Sequence, residues 1–396
     1  MKKKKAVVAG HICVDFTPPM ISPSAGTGNR IEDFLTPGKL VHVGPAYFHP
    51  GGVVVNTGLT MKSLGADVML MGKTGDDHLG RIIRDFLEQN DAAAALITDP
   101  ASDTSYTVVL APPGIDRVFL HNPGTNDAFT AMDIDYAACE SALLFHFGYP
   151  PLMRRMYQDG GRELAEVFRR VKEKGCLTSL DMAALDDASE AGQADWETIL
   201  RKTLPYVDFF VPSMEEICFM LDRPRYHALQ KRAAGGDVTR ILSIGEDVMP
   251  LAERLLDMGC KLALIKCGVA GMYCRTAGSG AFDMLRGITG LKFEGFDGQS
   301  IYERSFVPKA VVSGTGAGDA AIGAFLTAMM KGYSLEWCLH LAAAEGACCV
   351  AALDALSGLK PLEELKERIL SGWARQGGKD GLNAEHMGGL AQDSRR

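Results

Sequence analysis

The residues with the most specific chemistry form one short segment in the last quarter of the chain. It places three glycines within five positions, directly before an acid: Ser313-Gly314-Thr315-Gly316-Ala317-Gly318-Asp319. Glycine lets a backbone turn tightly, so that successive N–H groups can point to one place. A helical pattern follows, and the first N–H groups of a helix lack internal partners and carry about half a positive charge. The segment therefore predicts an anion site, such as a phosphate site.

Asp319 falls in the first turn of that predicted helix, beside the anion. A carboxylate close to a phosphate is unfavourable unless it has a chemical task, and accepting the proton of an attacking hydroxyl is such a task. A helix cap would explain the acid, but it would not explain three nearby glycines. We therefore predict phosphoryl transfer to a hydroxyl, with Asp319 as the general base and the N–H groups of Gly316, Ala317 and Gly318 as the anion hole.

Two other phosphate-binding motifs are approached but not met. The dinucleotide fingerprint G-x-G-x-x-G fails because Asp319 stands where its last glycine belongs, which argues against a dinucleotide-dependent oxidoreductase. The P-loop pattern is imitated by Gly72-Lys73-Thr74, but Asp67 stands where its first glycine belongs. Neither motif offers a competing phosphate site.

Composition limits the class of protein. The chain has 396 residues, of which 47% are apolar and 23% charged, as is usual for soluble globular proteins. Its formal net charge of −8 argues against a nucleic-acid-binding surface. Ten cysteines occur without any C-x-x-C spacing, which favours free thiols over zinc sites or disulfides. The apolar run 320–330 is too short to cross a bilayer, so we expect a cytoplasmic protein without membrane or nucleic-acid partners.

Apolar periodicity predicts the elements that position these residues. From about residue 140 onward, strand-like and helical segments alternate, which is typical of a parallel sheet covered by helices on both faces. One strand is predicted at 6–14 and another directly before the turn, at 307–312. The strand-rich stretches at about 12–50 and 100–125 do not fit this layer and predict a separate small sheet.

A second motif, in the first quarter of the chain, gives the turn a context. It reads Gly51-Gly52-Val53-Val54-Val55-Asn56 and is followed by Gly72-Lys73-Thr74-Gly75-Asp76-Asp77. In this order, the motif and the turn resemble the PfkB family of ribokinase-like carbohydrate kinases over about residues 6–355. The resemblance implies an α/β fold with a doubly wound, mostly parallel sheet flanked by helices and a small β-sheet lid, formed from the two strand-rich stretches. It also implies ATP and Mg²⁺ as cofactors.

The same resemblance assigns the acceptor side of the site. Asp15 corresponds to the family's acid after the first strand, which hydrogen-bonds substrate hydroxyls. Gly51, Gly52 and Asn56 correspond to the substrate-binding helix start, where paired glycines allow close backbone approach and the amide both donates and accepts. Asn126 corresponds to the Asn of the family's Gly-Ala-Asn after the lid hairpin. All five are expected to bind the substrate.

On the nucleotide side, Glu216 corresponds to the acid of the family's Asn-x-x-Glu motif, which organises magnesium and phosphate through water. Ser213 stands at the Asn position of that motif, and Gly268 lies in the loop that flanks the nucleotide. We expect Ser213, Gly268 and Thr315 to contact the nucleotide and Glu216 to bind the metal. Ser313-Gly314 replaces the first two residues of the family's Asp-Thr-x-Gly-Ala-Gly-Asp, which leaves a monovalent-cation site open.

The resemblance also implies domain boundaries. It implies one kinase domain over 1–374, followed by a Gly-rich, polar tail at 375–396 that we expect to be disordered. Residues 286–304 look like an insertion in this domain. The family's small sheets often pair between subunits, so the resemblance is compatible with a homodimer that forms through the lid.

The acceptor stays open among small hydroxylated molecules. A sugar or sugar-like acceptor is the first hypothesis. A nucleoside kinase of the same fold is the second, and it would need an aromatic slot for the base, for which the lid stretches offer Phe16, Tyr47, Phe48 and Phe119. A hypothesis from another class is a sugar-binding sensor on the same fold that has no catalytic activity.

Overall fold

The structure is a computed structural model, and it describes residues 4–21, 34–35, 37–112, 118–278, 280–352 and 354–377. In these ranges one sheet has nine strands: β1 (Lys5–Gly10), β4 (Asp67–Gly75), β5 (Ala93–Asp99), β8 (Ala142–Gly148), β9 (Leu177–Asp181), β10 (Phe209–Phe210), β11 (Leu262–Lys266), β12 (Met272–Thr276) and β13 (Ser300–Glu303). Their spatial order is β13-β12-β11-β10-β9-β8-β1-β4-β5. At one edge, β12 pairs antiparallel with both β11 and β13, and the other pairs are parallel.

Helices connect the strands and cover both faces of this sheet. They are α1 (Val53–Ser63), α2 (His78–Gln89), α3 (Tyr136–Ser141), α4 (Arg154–Tyr157), α5 (Arg162–Glu173), α6 (Glu190–Gln193), α7 (Trp196–Thr203), α8 (Met214–Leu221), α9 (Arg223–Ala233), α10 (Met249–Asp257), α11 (Asp283–Thr289), α12 (Ala317–Met330), α13 (Leu335–Cys349) and α14 (Leu362–Leu370). Among the helices described, none combines the length and the apolar character that crossing a membrane requires.

The core lies on both faces of the large sheet because strand side chains alternate between them. In β1, Ala6 and Val8 join the core on the face covered by α1, α12 and α13. Val7 and Ala9 join the core on the opposite face, covered by α5, α7, α8 and α10. All four side chains are fully buried, as expected for a strand in the middle of a parallel sheet.

The predicted separate sheet is present and has four strands in the order β3-β2-β6-β7. They are β2 (Cys13–Thr17), β3 (Tyr47–Gly51), β6 (Tyr106–Leu110) and β7 (Val118–Asn122). Asp15 is paired with His49, and Phe16 with Phe48. Because successive side chains point to opposite faces, Asp15 and Phe16 lie on different faces of this small sheet.

The strand order reverses between β1 and β8. From β1 the chain builds β4 and β5 on one side, whereas β8 to β11 extend the sheet on the other. In doubly wound sheets, ligands bind outside the carboxyl ends of the strands at such a switch point. Here that position is occupied by His11, which follows β1, and by Tyr149, which follows β8.

Two predicted strands differ from the structure. The single strand expected at 6–14 is two strands in different sheets, because the chain leaves the large sheet after Gly10. Residues 307–312 form no strand, although they are rich in valine. Val312 N instead donates to Val350 O, because β-branched residues favour a strand only where a neighbouring strand can pair with them. Residues 286–304 contribute β13 and two buried phenylalanines to the sheet edge and the core.

The expected tail begins with an ordered contact. Arg375 forms an isolated β-bridge with Phe306, and Gln376 N donates to Ser305 O. The Trp373 ring stacks on Phe306 with 4.7 Å between ring centroids, which fixes the chain just before that point. The remainder of the expected tail, 378–396, lies outside the described residues.

One buried acid makes the stability of this fold sensitive to pH. Glu345 in α13 is fully buried and accepts two contacts from Lys360 N, at 3.1 and 3.3 Å. Burial raises the pKa of Glu345 from 4.5 to about 8. Between these values, unfolding releases a proton, so the native state loses stability as pH rises from about 5 to about 8.

We predict that Glu345→Gln removes this loss. Between pH 5 and pH 8.5, the free energy of unfolding of the wild type should fall relative to that of the variant by roughly 2–4 kcal/mol. Urea unfolding at both pH values measures the difference, and the fixed cost of burying an amide cancels because it is the same at both. Glu367→Gln, an exposed glutamate on α14, is the control. Parallel pH profiles of wild type and Glu345→Gln would contradict the prediction.

Candidate active site

The glycine-rich turn lies at the start of α12 and depends on Gly316. Gly316 is the N-cap residue and has a φ of 74°, a left-handed conformation that favours glycine. A Cβ atom at this position would collide with the Ala355 side chain. Ser313 Oγ accepts Thr315 N at 3.1 Å, which tightens the turn before the helix. The N–H groups of Ala317 and Gly318 thus open the helix beside Asp319, as the sequence predicts.

The Asp319 carboxylate is buried, with 5% exposure, and side chains from two other elements donate to it. Asn56 Nδ2 lies 3.0 Å from Oδ2, and Thr57 Oγ1 lies 3.2 Å from Oδ1. The Tyr149 hydroxyl lies 2.7 Å from Oδ1 and 2.6 Å from Oδ2. The structure therefore joins the predicted residues Asp319 and Asn56, which are 263 positions apart.

Thr57 and Tyr149 were not predicted as site residues. Thr57 directly follows Asn56 in α1, so the helix start itself was the available signal. For Tyr149 the signal was its position at the carboxyl end of a central strand, in the sequence Gly148-Tyr149-Pro150-Pro151. Only the sheet order identifies that strand end as part of the ligand crevice.

A buried charge cluster adjoins the other side of the turn. Lys266, at the end of β11, donates to both oxygens of Asp181 at 2.6 and 2.8 Å. A Cβ atom on Gly318 would lie 3.6 Å from Lys266 Nζ, so the ammonium is beside the anion turn. Burial would lower the pKa of Lys266, but the charges of Asp181, Glu216 and Asp319 outweigh it and raise that pKa. Lys266 is therefore held as a cation next to the turn.

Ser213 and Glu216 are linked to each other at the start of α8. Ser213 N donates to Glu216 Oε2 at 2.6 Å, and Glu216 N donates to Ser213 Oγ at 3.3 Å, which is a capping box. This pair fixes the Glu216 carboxylate close enough to Lys266 and Asp181 to affect their pKa values. Within the described ranges, no group of three or more His, Cys, Asp or Glu side chains is arranged to hold a metal ion.

The predicted acceptor residues meet where β2 and β3 approach α1. A Cβ atom on Gly51 would collide with the Asp15 carboxylate, and one on Gly52 would lie 2.5 Å from His11 O. Gly52 also has a φ of 83°, so both glycines are required for this close approach. Burial raises the pKa of Asp15 above its ordinary value, against hydrogen bonds from Cys13 and Thr107.

His11 lies beside these glycines with both ring nitrogens buried. In the described part of the chain, neither nitrogen has a hydrogen-bond partner. Its ring centroid is 5.3 Å from that of His121 and 5.8 Å from that of Tyr149. Burial, with a smaller contribution from His121, holds the pKa of His11 well below its ordinary value, so the ring is neutral.

Asn126 lies behind the surface predicted for it, whereas Gly268 is exposed in the loop after β11. Asn126 is fully buried; its Oδ1 accepts Ile12 N at 3.3 Å, and its Nδ2 donates to Ile12 O at 2.9 Å. It therefore fixes the link between β1 and β2, next to His11. Gly268 has a φ of 53°, and a Cβ atom there would lie 2.7 Å from the Thr239 hydroxyl, so the loop after β11 passes close to Thr239.

Comparison with known proteins shows to which family the chain belongs. The chain matches the sequence model described as "pfkB family carbohydrate kinase" over residues 29–360. An uncharacterized sugar kinase from Archaeoglobus fulgidus is 24% identical over 76% of this chain and 97% of the relative. Probable fructokinase-6 from Arabidopsis thaliana is 25% identical over 87% of this chain and 81% of the relative.

Solved structures have the same fold. The ribokinase of Arabidopsis thaliana, solved in complex with ribose and ATP, superimposes with a TM-score of 0.66. It covers 92% of this chain and 98% of its own, at 18% sequence identity. The superposition establishes a shared fold, including the large mostly parallel sheet. At an identity this low, it establishes the fold alone.

We predict that Gly316→Ala damages the anion turn selectively. The new methyl group would collide with Ala355, so the turn must shift, and displacing an anion-hole donor typically costs about 10²–10³ in kcat. Gly332→Ala is the control, because Gly332 also has a positive φ, 85°, but nothing lies within 4 Å of its Cβ position. ADP release and the shift in Tm on adding Mg²⁺-ATP measure the two variants. Equal activity in both would contradict the assignment.

Proposed function

Because the chain belongs to the pfkB family of carbohydrate kinases and is a sugar kinase of that family, we propose that it transfers the terminal phosphoryl group of ATP to a sugar hydroxyl. The position of Asp319 carries this proposal. A buried carboxylate in the first turn of α12, held by three side-chain donors beside a glycine-rich turn, can face both an anion and a hydroxyl. That is the arrangement a general base for phosphoryl transfer needs.

In the proposed reaction the acceptor oxygen attacks the terminal phosphorus of ATP while the bond to ADP breaks. The proton of the acceptor hydroxyl passes to Asp319. The N–H groups of Gly316, Ala317 and Gly318 stabilise the charge on the transferring group, and Lys266 adds a fixed cation beside them. Binding in this pocket also keeps water from the phosphoryl group.

The nucleotide side uses the loops after β10 and β11 and the turn. We assign nucleotide contacts to Ser213, Gly268 and Thr315, as the sequence predicts. Mg²⁺ is usually held by one or two carboxylates together with substrate phosphates. Glu216 fits this role because the capping box fixes its carboxylate beside the charge cluster. When bound, the ion would neutralise negative charge on the phosphates.

The acceptor side favours a sugar. Asp15, Gly51, Gly52 and Asn56 surround one crevice, where a carboxylate and an amide suit hydroxyl groups. The neutral ring of His11 can both donate and accept, and its nitrogens lack partners among the described residues. Asn126 acts on the acceptor through Ile12, because its amide holds the backbone of the β1–β2 link.

A nucleoside acceptor is less well supported. Two of the four aromatic residues offered for a base slot, Phe16 and Phe48, pair with each other on the face of the small sheet opposite Asp15. Tyr47 and Phe119 remain on the face of Asp15, but they are more than half exposed. They therefore do not form a closed slot in this structure.

The ten cysteines are all buried and none of them forms a disulfide, which fits a cytoplasmic enzyme in a reducing compartment. An ADP-release screen with Mg²⁺-ATP over ketohexoses, pentoses and nucleosides tests the proposed activity. Sugar binding without ADP release from any acceptor would instead favour a non-catalytic sensor.

We predict that Asp319→Asn lowers kcat by about 10²–10⁴, because the amide cannot accept the acceptor proton. Mg²⁺-ATP affinity, measured by calorimetry, should change little. Asp283→Asn is the control, since Asp283 is also a first-turn acid but is exposed at the start of α11. Near-normal turnover of Asp319→Asn with the screened sugar would remove Asp319 from the general-base role.

We also propose that two chains associate through the small sheet. Its face opposite Asp15 presents Phe48 at 55%, Leu120 at 54% and Tyr106 at 38% exposure. A contiguous apolar patch of this kind is unusual on the surface of a monomer. A second copy of the same sheet is the partner that the family resemblance indicates.

Sedimentation tests this association. We predict that the wild type sediments as a dimer and that Phe48→Asp sediments as a monomer, because a buried unpaired carboxylate would oppose the contact. Leu370→Asp is the control, since Leu370 is 74% exposed but lies on α14. A monomeric wild type, or a dimeric Phe48→Asp, would contradict the proposal.

A further inference from the structure

Tyr149 has a backbone conformation that is unfavourable for a tyrosine. Its φ of 68° and ψ of 39° lie in the left-handed region, which residues other than glycine rarely adopt. Neighbouring hydrogen bonds impose this conformation: Tyr149 N donates to Asp181 O at 3.3 Å, and Leu152 N donates to Tyr149 O at 2.9 Å. Such strain persists where the surroundings impose it, and it is concentrated at functional sites.

The strained backbone directs the phenol to the general base. The hydroxyl oxygen is 2.7 Å from Oδ1 and 2.6 Å from Oδ2 of Asp319, so it faces both carboxylate oxygens at once. The side of the carboxylate that the hydroxyl faces is called its open side. A phenol has a single proton and can donate to only one of these oxygens at a time. Asn56 and Thr57 each donate to one carboxylate oxygen as well. Three side-chain donors therefore contact the base, and Tyr149 is the one that faces both oxygens.

The open side of the carboxylate is also where an acceptor hydroxyl must lie to give up its proton. We propose that the Tyr149 hydroxyl is a stand-in for the acceptor hydroxyl: it occupies the base in the free enzyme and is displaced when the sugar binds. Tyr149 is thus a positioning residue for Asp319, and this inference rests on the proposed kinase function. No covalent bond changes in the exchange, since one hydrogen bond to the carboxylate replaces another.

The position of the ring supports an exchange within the acceptor crevice. The Tyr149 ring centroid lies 5.8 Å from that of His11, on the side of the site that holds Gly51 and Gly52. The displaced phenol therefore stays beside the sugar. In the free enzyme the phenol has a second effect, because it keeps water from the open side of the base and so limits hydrolysis of ATP.

The first test is Tyr149→Phe, which keeps the ring and removes the hydroxyl. The sugar no longer has to break the phenol–carboxylate hydrogen bond, so its KM should fall by about 3- to 10-fold, whereas loss of a purely structural hydroxyl would not lower the KM. D-Fructose and D-ribose are the first probe acceptors, followed by the other screened sugars. Tyr136→Phe is the matched control. The Tyr136 hydroxyl also makes a hydrogen bond, to Ala131 O at 2.9 Å, but it does not lie in the site. An unchanged or higher KM in Tyr149→Phe would overturn the displacement.

The second test needs no acceptor. In Tyr149→Ala, water can reach the open side of Asp319, so hydrolysis of Mg²⁺-ATP without sugar should rise about tenfold or more. The double variant Tyr149→Ala/Asp319→Asn should return to the wild-type rate, because the water then lacks its base. A wild-type hydrolysis rate in a Tyr149→Ala protein that still gains Tm with Mg²⁺-ATP would overturn the inference.

The proposed kinase function and the role of Tyr149 would fail in different experiments. If the wild type releases no ADP with any acceptor, the proposed function fails and this inference fails with it. If the wild type is an active kinase but Tyr149→Phe retains the wild-type KM, only the role of Tyr149 is rejected. If Tyr149→Ala does not fold, the KM of Tyr149→Phe decides alone.

Discussion

A buried carboxylate needs hydrogen-bond donors, and the end of the molecule that carries the site is arranged to supply them to Asp319. The donors come from α1 and from the residue after β8, while the acid itself is on α12. These elements must approach closely. A Cβ atom on Gly323 would lie 2.7 Å from Thr60 Cγ2, so α12 can pack on α1 only because a glycine faces it there. The contact between Asp319 and Asn56 therefore constrains how the two helices pack about one turn further along.

The sheet order explains why these donors converge at one place. Strands β1 and β8 are neighbours, and the chain departs from them in opposite directions, which leaves a crevice above their carboxyl ends. Gly10 and Gly148 face each other there so closely that a Cβ atom on Gly10 would collide with Gly148 O. His11 and Tyr149 follow these glycines directly, and so their rings lie side by side at this switch point, with centroids 5.8 Å apart. The residues of the site are thus held by the most buried strands of the fold.

Sequence reasoning could predict the parts of the proposed site that have a local signature. The proposed anion turn has glycines at fixed positions, and the proposed acceptor crevice has Gly51-Gly52, so both are visible in the order of residues. The alternation of strands and helices likewise predicted the parallel sheet, and the unmatched strands predicted the small one. Tyr149, Asp181 and Lys266 have no such signature. Each ends a buried strand, and only the order of β8, β9 and β11 in space brings the three to the turn. The strand expected at 307–312 failed for the same reason, because pairing depends on a neighbour that composition does not reveal.

The charges around the turn indicate what form of nucleotide the site can accept. The charges of Asp181, Glu216 and Asp319 all raise the pKa of Lys266, and the charge of Asp319 also raises the pKa of Asp15. Lys266 is already paired with Asp181, so its charge is only partly available to a phosphate. A triphosphate alone would meet more negative than positive charge here, and like charges at short range in a poorly solvated site are costly. A nucleotide that arrives with a divalent cation would change this balance, because the cation would offset the phosphate charge and the Glu216 carboxylate would hold it in the proposed assignment. The excess of acids near an anion turn is therefore consistent with a site built for a metal–nucleotide complex rather than for a free anion.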